Sequence, residues 1–145
     1  MSGDAVVRTV WLPCGVARAF ALFTEEAGAW WPPERRHLDD PESAIVISVD
    51  GAFRERARDG REAALGAVRA WEAPHRLLLD FYVGTGPEAP TEVEITFAEE
   101  RGGTRVTVEH RPGRGGERFR ERAPRFASSW DAVLAALAGA SAVGG

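Results

Sequence analysis

The feature that most constrains this chain is a run of six short segments between residues 43 and 111 in which apolar and polar side chains alternate. A period of two is typical of β-strands with one buried and one exposed face. Short turn sequences separate the segments, among them Asp50-Gly51 and Asp59-Gly60, and Asp-Gly is a strong hairpin signal. Such connections favour antiparallel neighbours, because a parallel crossover needs about a dozen residues. The sequence therefore predicts an antiparallel meander. Its strands are expected over 43–49, 52–58, 63–73, 76–83, 91–98 and 104–111.

The residues before the meander predict one more strand and two short helices. The segment DAVVRTVWL (4–12) alternates and is rich in β-branched residues, which favours a strand. The apolar spacing of VARAFALF places its large side chains on one face of a helix. Thr24 is expected to cap a second helix, TEEAGAWW, which Pro32 and Pro33 end because proline cannot continue it.

The residues after the meander predict one long C-terminal helix. An apolar stripe that includes Phe126, Trp130 and Leu137 runs through it, and Pro124 is expected to kink or restart it. A single sheet with one apolar face needs a cover, and this helix is the only predicted element long enough to provide it. The predicted fold class is therefore α+β.

Length and composition place the chain among ordinary globular domains. Its 145 residues predict one domain over 1–145, with a core over 5–138 and a flexible tail over 139–145. A single cysteine, Cys14, excludes an internal disulfide, so a reducing cytoplasm is expected. The net charge of −4 argues against nucleic acid as a partner. No apolar run approaches the roughly 18 residues of a membrane span, so no membrane insertion is expected.

Two polar residues fall on the face of the sheet that alternation assigns to the core. Glu55 shares its face with Phe53, and His110 shares its face with Val106 and Val108. A buried carboxylate is costly unless it is paired or hydrogen-bonded. Three interpretations stay open: a structural role through backbone or water contacts, two polar anchors in a ligand pocket, or a catalytic acid–base pair.

The resemblance of the chain to a known family rests on five stretches in a characteristic order and spacing. The stretches are FALFTEEAGAWWPPE, DGAFRERARDG, LGAVRAWEAPHRLLLDF, PTEVEITFAEERGGTRVTVEHR and SSWDAVLAAL. Together they resemble the family named after the activator of heat shock protein 90 ATPase, within the START-like or SRPBCC superfamily of helix-grip proteins. The resemblance covers about residues 5–138.

The resemblance implies a strongly curved, seven-stranded antiparallel sheet wrapped around the long C-terminal helix, with two short helices after the first strand. It also implies that the first strand pairs with the last and that an apolar cavity lies between sheet and helix. One of Trp30 and Trp31 is then expected to line the cavity mouth and the other to pack against the sheet end or a partner. The alternative is that both indoles belong to the core. The chain departs from the family pattern at Gly51-Ala52 and at RPGRGG (111–116).

Three functions stay open at this stage. The first is a non-enzymatic protein that binds a hydrophobic or amphipathic small molecule. The second is a co-chaperone-like module, although the chain has no room for the additional N-terminal domain of the eukaryotic activators. The third is a polyketide cyclase-like enzyme, for which the sequence offers no nucleophile elbow, phosphate loop or metal-ligand spacing.

The binding hypothesis predicts a cavity lined mostly by apolar residues, with Glu55 and His110 as polar anchors. No catalytic residue, metal or cofactor is expected, and a homodimer and a chaperone partner are left open as further partners. The expected lining residues are Phe20, Phe23, Trp30, Phe53, Glu55, Val68, Leu79, Phe81, Val93, Ile95, Val106, Val108, His110, Phe126, Trp130 and Leu134.

Overall fold

The computed structural model describes residues 5–143, which form seven strands and three α-helices. Two single-turn 3-10 helices, Pro33–Arg35 and Gly113–Gly115, flank the meander. The strands are β1 (Val6–Leu12), β2 (Ala44–Ile47), β3 (Ala52–Arg56), β4 (Glu62–Glu72), β5 (Arg76–Phe81), β6 (Thr91–Glu100) and β7 (Gly103–Arg111). The helices are α1 (Val16–Thr24), α2 (Ala27–Trp30) and α3 (Gly116–Val143).

The strands form one antiparallel sheet in the order β1-β7-β6-β5-β4-β3-β2. The last six strands follow one another in space as they do in sequence, which confirms the meander. Val6 pairs with His110 and Leu12 with Thr104, so the first strand lies beside the last, as expected. Together with the long helix that the sheet holds, this is the helix-grip fold.

Strand β4 departs from strict alternation at two positions. Its pairing shifts register against β3 between Phe53 and Arg54, and against β5 between Val68 and Ala70. Such irregularities are β-bulges, which bend a strand and increase its local twist. The bulges therefore help the sheet to curve around the helix.

The helices differ from the sequence-based expectation in three details. Thr24 is the last residue of α1, and its hydroxyl donates to the Phe20 carbonyl oxygen at 2.7 Å, so it does not cap α2. Helix α3 continues through Pro124 instead of restarting there. It also extends beyond residue 138 to Val143, and Ser141 is buried, so the expected tail is helical as far as the structure describes it. Residues 1–4, 144 and 145 lie outside the described residues.

The core lies between the concave face of the sheet and the helices α1 and α3. Helix α3 runs closest to β1, and the Arg8 Nε atom donates to Asp131 Oδ1 at 2.8 Å across that contact. Strands β3 to β5 lie farther from α3 than β1 does, and the space between them and the helix is open. No helix within residues 5–143 combines the length and apolar character that a membrane crossing requires.

Candidate functional site

A cavity of about 250 Å³ lies between α3, strands β3 to β5 and the loop that follows α2. Its inner wall is buried and apolar, whereas its outer rim is charged and open to solvent. The buried inner residues are Trp31, Phe53, Leu65, Phe81, Phe126, Trp130 and Val133. The rim and the remaining wall are formed by Glu34, Arg35, Arg36, His37, Val83, Gly84, Arg122, Arg125 and Ser129.

The floor of the cavity is built around a glycine. Gly66 pairs with Phe53 on one side and Phe81 on the other, and the two phenyl rings stack with centroids 6.0 Å apart. A Cβ atom at Gly66 would lie 2.0 Å from the Asp80 carbonyl oxygen and 2.8 Å from the Phe53 ring. Only glycine fits such a close approach of backbone and ring without a shift of the strands.

The opposite wall comes from one face of α3. Phe126 and Trp130 are four residues apart and therefore share this face. The Phe81 ring packs against both, with centroids 6.2 Å from Phe126 and 5.9 Å from Trp130. These contacts tie the helix side of the cavity to its sheet side.

Trp30 and Trp31 take different roles because of the proline that follows them. A residue before proline is disfavoured in the helical region, and Trp31 has φ −56° and ψ 130° instead. Its indole therefore leaves the helix and joins the cavity wall. Trp30 stays helical, and its Nε1 atom donates to the Leu22 carbonyl oxygen at 2.8 Å. The expected division between the two indoles is present, but Trp31 rather than Trp30 faces the cavity.

Arg36 holds the rim loop, which comprises residues 31–43 between α2 and β2, in place. Its guanidinium donates to the carbonyl oxygens of Gly28 and Trp31, both at 2.9 Å, and also to the Ser43 carbonyl oxygen. Burial lowers the pKa of Arg36, while the negative charges of Glu55 and Asp40 act in the opposite direction. Arg36 therefore has a structural role: its hydrogen bonds hold the rim loop beside the cavity.

Glu55, on strand β3, also holds the rim loop in place. Its carboxylate accepts hydrogen bonds from the backbone N–H groups of His37 at 2.7 Å and Leu38 at 3.2 Å. The Ser43 hydroxyl donates to it at 2.7 Å. Glu55 has no solvent exposure and does not line the cavity. These contacts correspond to the structural interpretation of Glu55, with backbone groups as its partners.

His110 lies behind the cavity wall in an aromatic environment. Its ring centroid is 4.3 Å from that of Phe126, and Trp130 Nε1 donates to its Nδ1 atom at 3.1 Å. Because an indole N–H can only donate, Nδ1 is the acceptor, and the neutral ring carries its proton on Nε2. That nitrogen lies 2.8 Å from Thr91 Oγ1, to which it donates. Burial lowers the pKa of His110 to about 3.

The structure brings four of the expected lining residues together at the cavity, among the residues that it describes. These are Phe53, Phe81, Phe126 and Trp130. The other expected residues pack in the interior or at its margin and do not line this cavity. They are Phe20, Phe23, Trp30, Glu55, Val68, Leu79, Val93, Ile95, Val106, Val108, His110 and Leu134.

The interior is filled where helices cover the middle of the sheet. The Phe20 ring, for example, lies 5.1 Å from the rings of both Trp71 and Phe97. Glu55 and His110 lie on non-adjacent strands, as expected, and each is satisfied by its own neighbours. The expectation that they jointly line one cavity is not met, because neither reaches its surface.

Sequence reasoning did not identify Leu65 or the arginines of the rim. Leu65 lies at the register shift of β4, where a bulge interrupts the alternation. Arg122 and Arg125 precede Phe126 and Ser129 on α3, with the three-to-four-residue spacing that places them on one helical face. This spacing is the sequence pattern from which the rim residues on α3 could have been predicted.

Other chemistry is sparse in the part of the chain that the structure describes. Residues 5–143 contain no group of three His, Cys, Asp or Glu side chains placed to hold a metal ion. Burial raises the pKa of the Cys14 thiol, with a smaller opposite effect of Arg18. Cys14 is therefore not activated as a thiolate by its position before α1.

Comparison with solved structures finds the same fold in several proteins. The self-sacrificing resistance protein CalC from Micromonospora echinospora superposes with a TM-score of 0.78 and 24% identity, covering 100% of this chain and 98% of CalC. The Aha1 dimer from Colwellia psychrerythraea gives 0.66 and 14%, covering 94% of each chain. The anthrahydroquino-gamma-pyrone synthase Txn09, solved as a complex with SUM, gives 0.60 and 24%, covering 93% of this chain and 95% of Txn09.

Comparison with sequences is decisive for the family. Curated proteins yield no sequence match to this chain. The family model described as Activator of Hsp90 ATPase homolog 1-like protein matches residues 14–142, which is nearly the whole chain. This match agrees with the sheet order, the long C-terminal helix and the cavity between them. The chain therefore belongs to the family of Activator of Hsp90 ATPase homolog 1-like proteins.

Proposed function

We propose that this protein binds a small hydrophobic or amphipathic molecule in the cavity beside α3 and holds it without chemical change. The observation that carries the proposal is the cavity itself, about 250 Å³ with a buried apolar inner wall. Binding pockets for small molecules are typically concave and mostly apolar, with a few polar groups that fix orientation. An engineered apolar cavity of about 150 Å³ is enough to bind benzene.

The enzyme alternative requires Glu55 and His110 to act as an acid–base pair at the cavity, and they do not lie there. Glu55 and His110 are both fully buried and bonded to neighbours, and neither lines the cavity. A general acid or base must come within hydrogen-bond reach of the reacting group. The names of the structural neighbours include a synthase and a resistance protein, but a shared fold does not decide function.

The co-chaperone alternative calls for an exposed apolar patch. Within residues 5–143, the strongly exposed large hydrophobic residues are Val7, Trp11 and Val49. The first two lie on the edge strand β1, and Val49 lies beside β2 at the opposite edge of the sheet. This arrangement favours the cavity as the functional feature. A chaperone partner, a homodimer and a cytoplasmic location stay predictions.

The test uses N-phenyl-1-naphthylamine, a neutral probe made of a naphthalene and a phenyl ring, which fluoresces in apolar surroundings. Ser129 lines the cavity on α3, whereas the adjacent Ser128 is exposed and does not. We expect saturable binding to the wild-type protein, loss of binding in Ser129→Phe and retention in Ser128→Phe. Thermal melting of both variants checks that they are folded. An absence of saturable binding, or equal binding by Ser129→Phe, would count against the proposal.

A further inference from the structure

The rim of the cavity carries an excess of positive charge in a chain that is acidic overall. Among the described residues that line the cavity are four arginines, Arg35, Arg36, Arg122 and Arg125, and one carboxylate, that of Glu34. The whole chain has a formal net charge of −4. The local charge of the rim therefore has the opposite sign to the net charge of the chain.

Arginines elsewhere in the described structure mostly have carboxylate partners. Ion pairs are formed by Arg8, Arg18, Arg56, Arg58, Arg61, Arg69, Arg76, Arg105 and Arg111. By contrast, within residues 5–143 the guanidinium groups of the cavity arginines Arg35, Arg122 and Arg125 make no hydrogen bond or ion pair. An arginine donates up to five N–H groups, so these three retain most of their capacity to bind an acceptor.

Two of the three unpaired arginines are held partly out of water. Arg35 and Arg122 are half-buried, and the Nε atom of Arg35 is buried without a partner. A Cβ atom at Gly84 would lie 2.9 Å from Arg122 Cδ, so the Arg122 stem packs directly over this glycine. A guanidinium that is already desolvated and positioned loses little freedom when an anion binds. An incoming negative charge would also compensate the burial of the positive one.

We infer that the ligand carries an anionic group, which binds Arg35, Arg122 and Arg125, attached to an apolar ring system that fills the aromatic inner wall. This inference rests on the proposed function and specifies its ligand class: an aromatic carboxylate, sulfonate or phosphate with two or three rings. Guanidinium groups match the oxygens of such anions with paired hydrogen bonds. The cavity of about 250 Å³ accommodates the ring portion, and the anionic group remains at the rim.

The experiment compares two probes that share one ring scaffold. 8-Anilinonaphthalene-1-sulfonate carries a sulfonate, whereas N-phenyl-1-naphthylamine lacks it. We expect Arg35→Gln and Arg122→Gln each to weaken sulfonate-probe binding by about tenfold, because each removes a charge-assisted contact. Both variants should weaken binding of the neutral probe much less than binding of the sulfonate probe. Added salt should weaken binding of the sulfonate probe to the wild-type protein and affect the neutral probe much less.

The matched control is Arg120→Gln, which removes the same charge from the same helix. Position 120 is two residues from Arg122, about 200° around α3, and does not line the cavity. It should leave the affinity for both probes unchanged. Arg122→Lys, which retains the charge, should recover part of the affinity for the sulfonate probe. Arg35 lies in the rim loop and Arg122 on α3, so if one of the two variants fails to fold, the other still tests the inference.

The outcomes separate the two proposals. If both probes bind and the arginine variants affect them equally or not at all, the anionic ligand class is overturned while small-molecule binding stands. If neither probe binds the wild-type protein, both proposals fail. Selective loss of the sulfonate probe in both arginine variants supports the inference.

Discussion

The carboxylate of Glu55 accepts three hydrogen bonds at distances of 2.7–3.2 Å, and two of the donors are backbone N–H groups of the rim loop. Hydrogen bonds to a charged acceptor contribute more than neutral ones, and burial makes their loss costly. The carboxylate thus substitutes for the backbone partners that an irregular loop lacks. At this scale, one side chain stabilises the position of the rim loop.

Glu55→Gln is predicted to lower the free energy of unfolding by about 2–3 kcal/mol. The amide retains one acceptor oxygen but turns an NH2 group toward backbone donors, so at least one N–H loses its partner. Urea denaturation measures the effect. Glu99→Gln, at an exposed position on β6, is the control and should change stability by less than about 0.5 kcal/mol. Equal effects of the two substitutions would contradict the structural role assigned to Glu55.

His110 predicts a specific dependence of stability on pH. Burial lowers its folded-state pKa to about 3, whereas an unfolded histidine has a pKa near 6.5. Between these values the unfolded state binds a proton that the folded state does not, so stability falls as pH falls. The contribution of this group between pH 7 and pH 5 is about 2 kcal/mol. Unfolding free energies of wild type and His110→Gln at several pH values measure it.

The His110→Gln variant has no titrating group at this position, so its stability should decline less steeply than that of wild type between pH 7 and pH 5. The slope is the readout, because the variant is also expected to lose some stability at every pH. Identical slopes for the two proteins would show that His110 is not the group responsible.

At the scale of elements, strand β4 determines the shape of the cavity floor. Its two register shifts curve the sheet, and Gly66 between them brings β4 and β5 into close contact beneath the Phe53 and Phe81 rings. A larger residue at this point would push on backbone atoms, which cannot rotate away as a side chain can.

Gly66→Ala is predicted to destabilise the protein by roughly 3 kcal/mol, because the new Cβ would lie 2.0 Å from the Asp80 carbonyl oxygen. Gly139→Ala is the matched control. It lies in α3 with no atom within 4 Å of its Cβ position, and it should raise stability by about 0.5–1 kcal/mol through helix propensity. Thermal unfolding of both variants shows whether each substitution lowers or raises the stability of the protein. A neutral Gly66→Ala variant would mean that the strands can separate at little cost.

The sequence was most informative where one physical rule acted alone. Regular alternation and short turns predicted all seven strands and the inward placement of Glu55 and His110, because strand geometry fixes which face a side chain takes. It was least informative where rules competed. A bulge carried Leu65 into the cavity wall, and the backbone restriction before Pro32 turned Trp31 rather than Trp30 inward. The volume left between α3 and the sheet depends on packing throughout the core, which no local pattern contains.

At the scale of the molecule, the pairing of β1 with β7 adds the N-terminal strand to the last strand of the meander, and the C-terminal helix α3 packs along β1. The core is consequently one continuous cluster within the described residues. Urea unfolding followed by tryptophan fluorescence and by far-ultraviolet circular dichroism is predicted to give coincident transitions, as expected for a single cooperative unit. Transitions separated beyond experimental error would indicate that α2 and the rim loop unfold independently.

The proposed function predicts that protein purified from its own host carries a ligand. Native mass spectrometry should show a discrete added mass that disappears when the same sample is denatured. The bound species should raise the midpoint of thermal unfolding in proportion to the logarithm of its free concentration above the dissociation constant. A bare protein mass, with no shift of the midpoint on addition of aromatic anions, would contradict the prediction.

The division of the cavity into a buried apolar interior and a charged rim has a consequence for how such a protein can change. The interior residues belong to the core, so most substitutions there would reduce stability along with binding. The guanidinium groups of Arg35, Arg122 and Arg125 form no hydrogen bond or ion pair within residues 5–143, so replacing their charges would leave the core intact. A few substitutions at the rim can therefore change which ligands bind, and even reverse the preferred ligand charge. The fold and the apolar interior would stay the same, whether the changes arise by selection or by design.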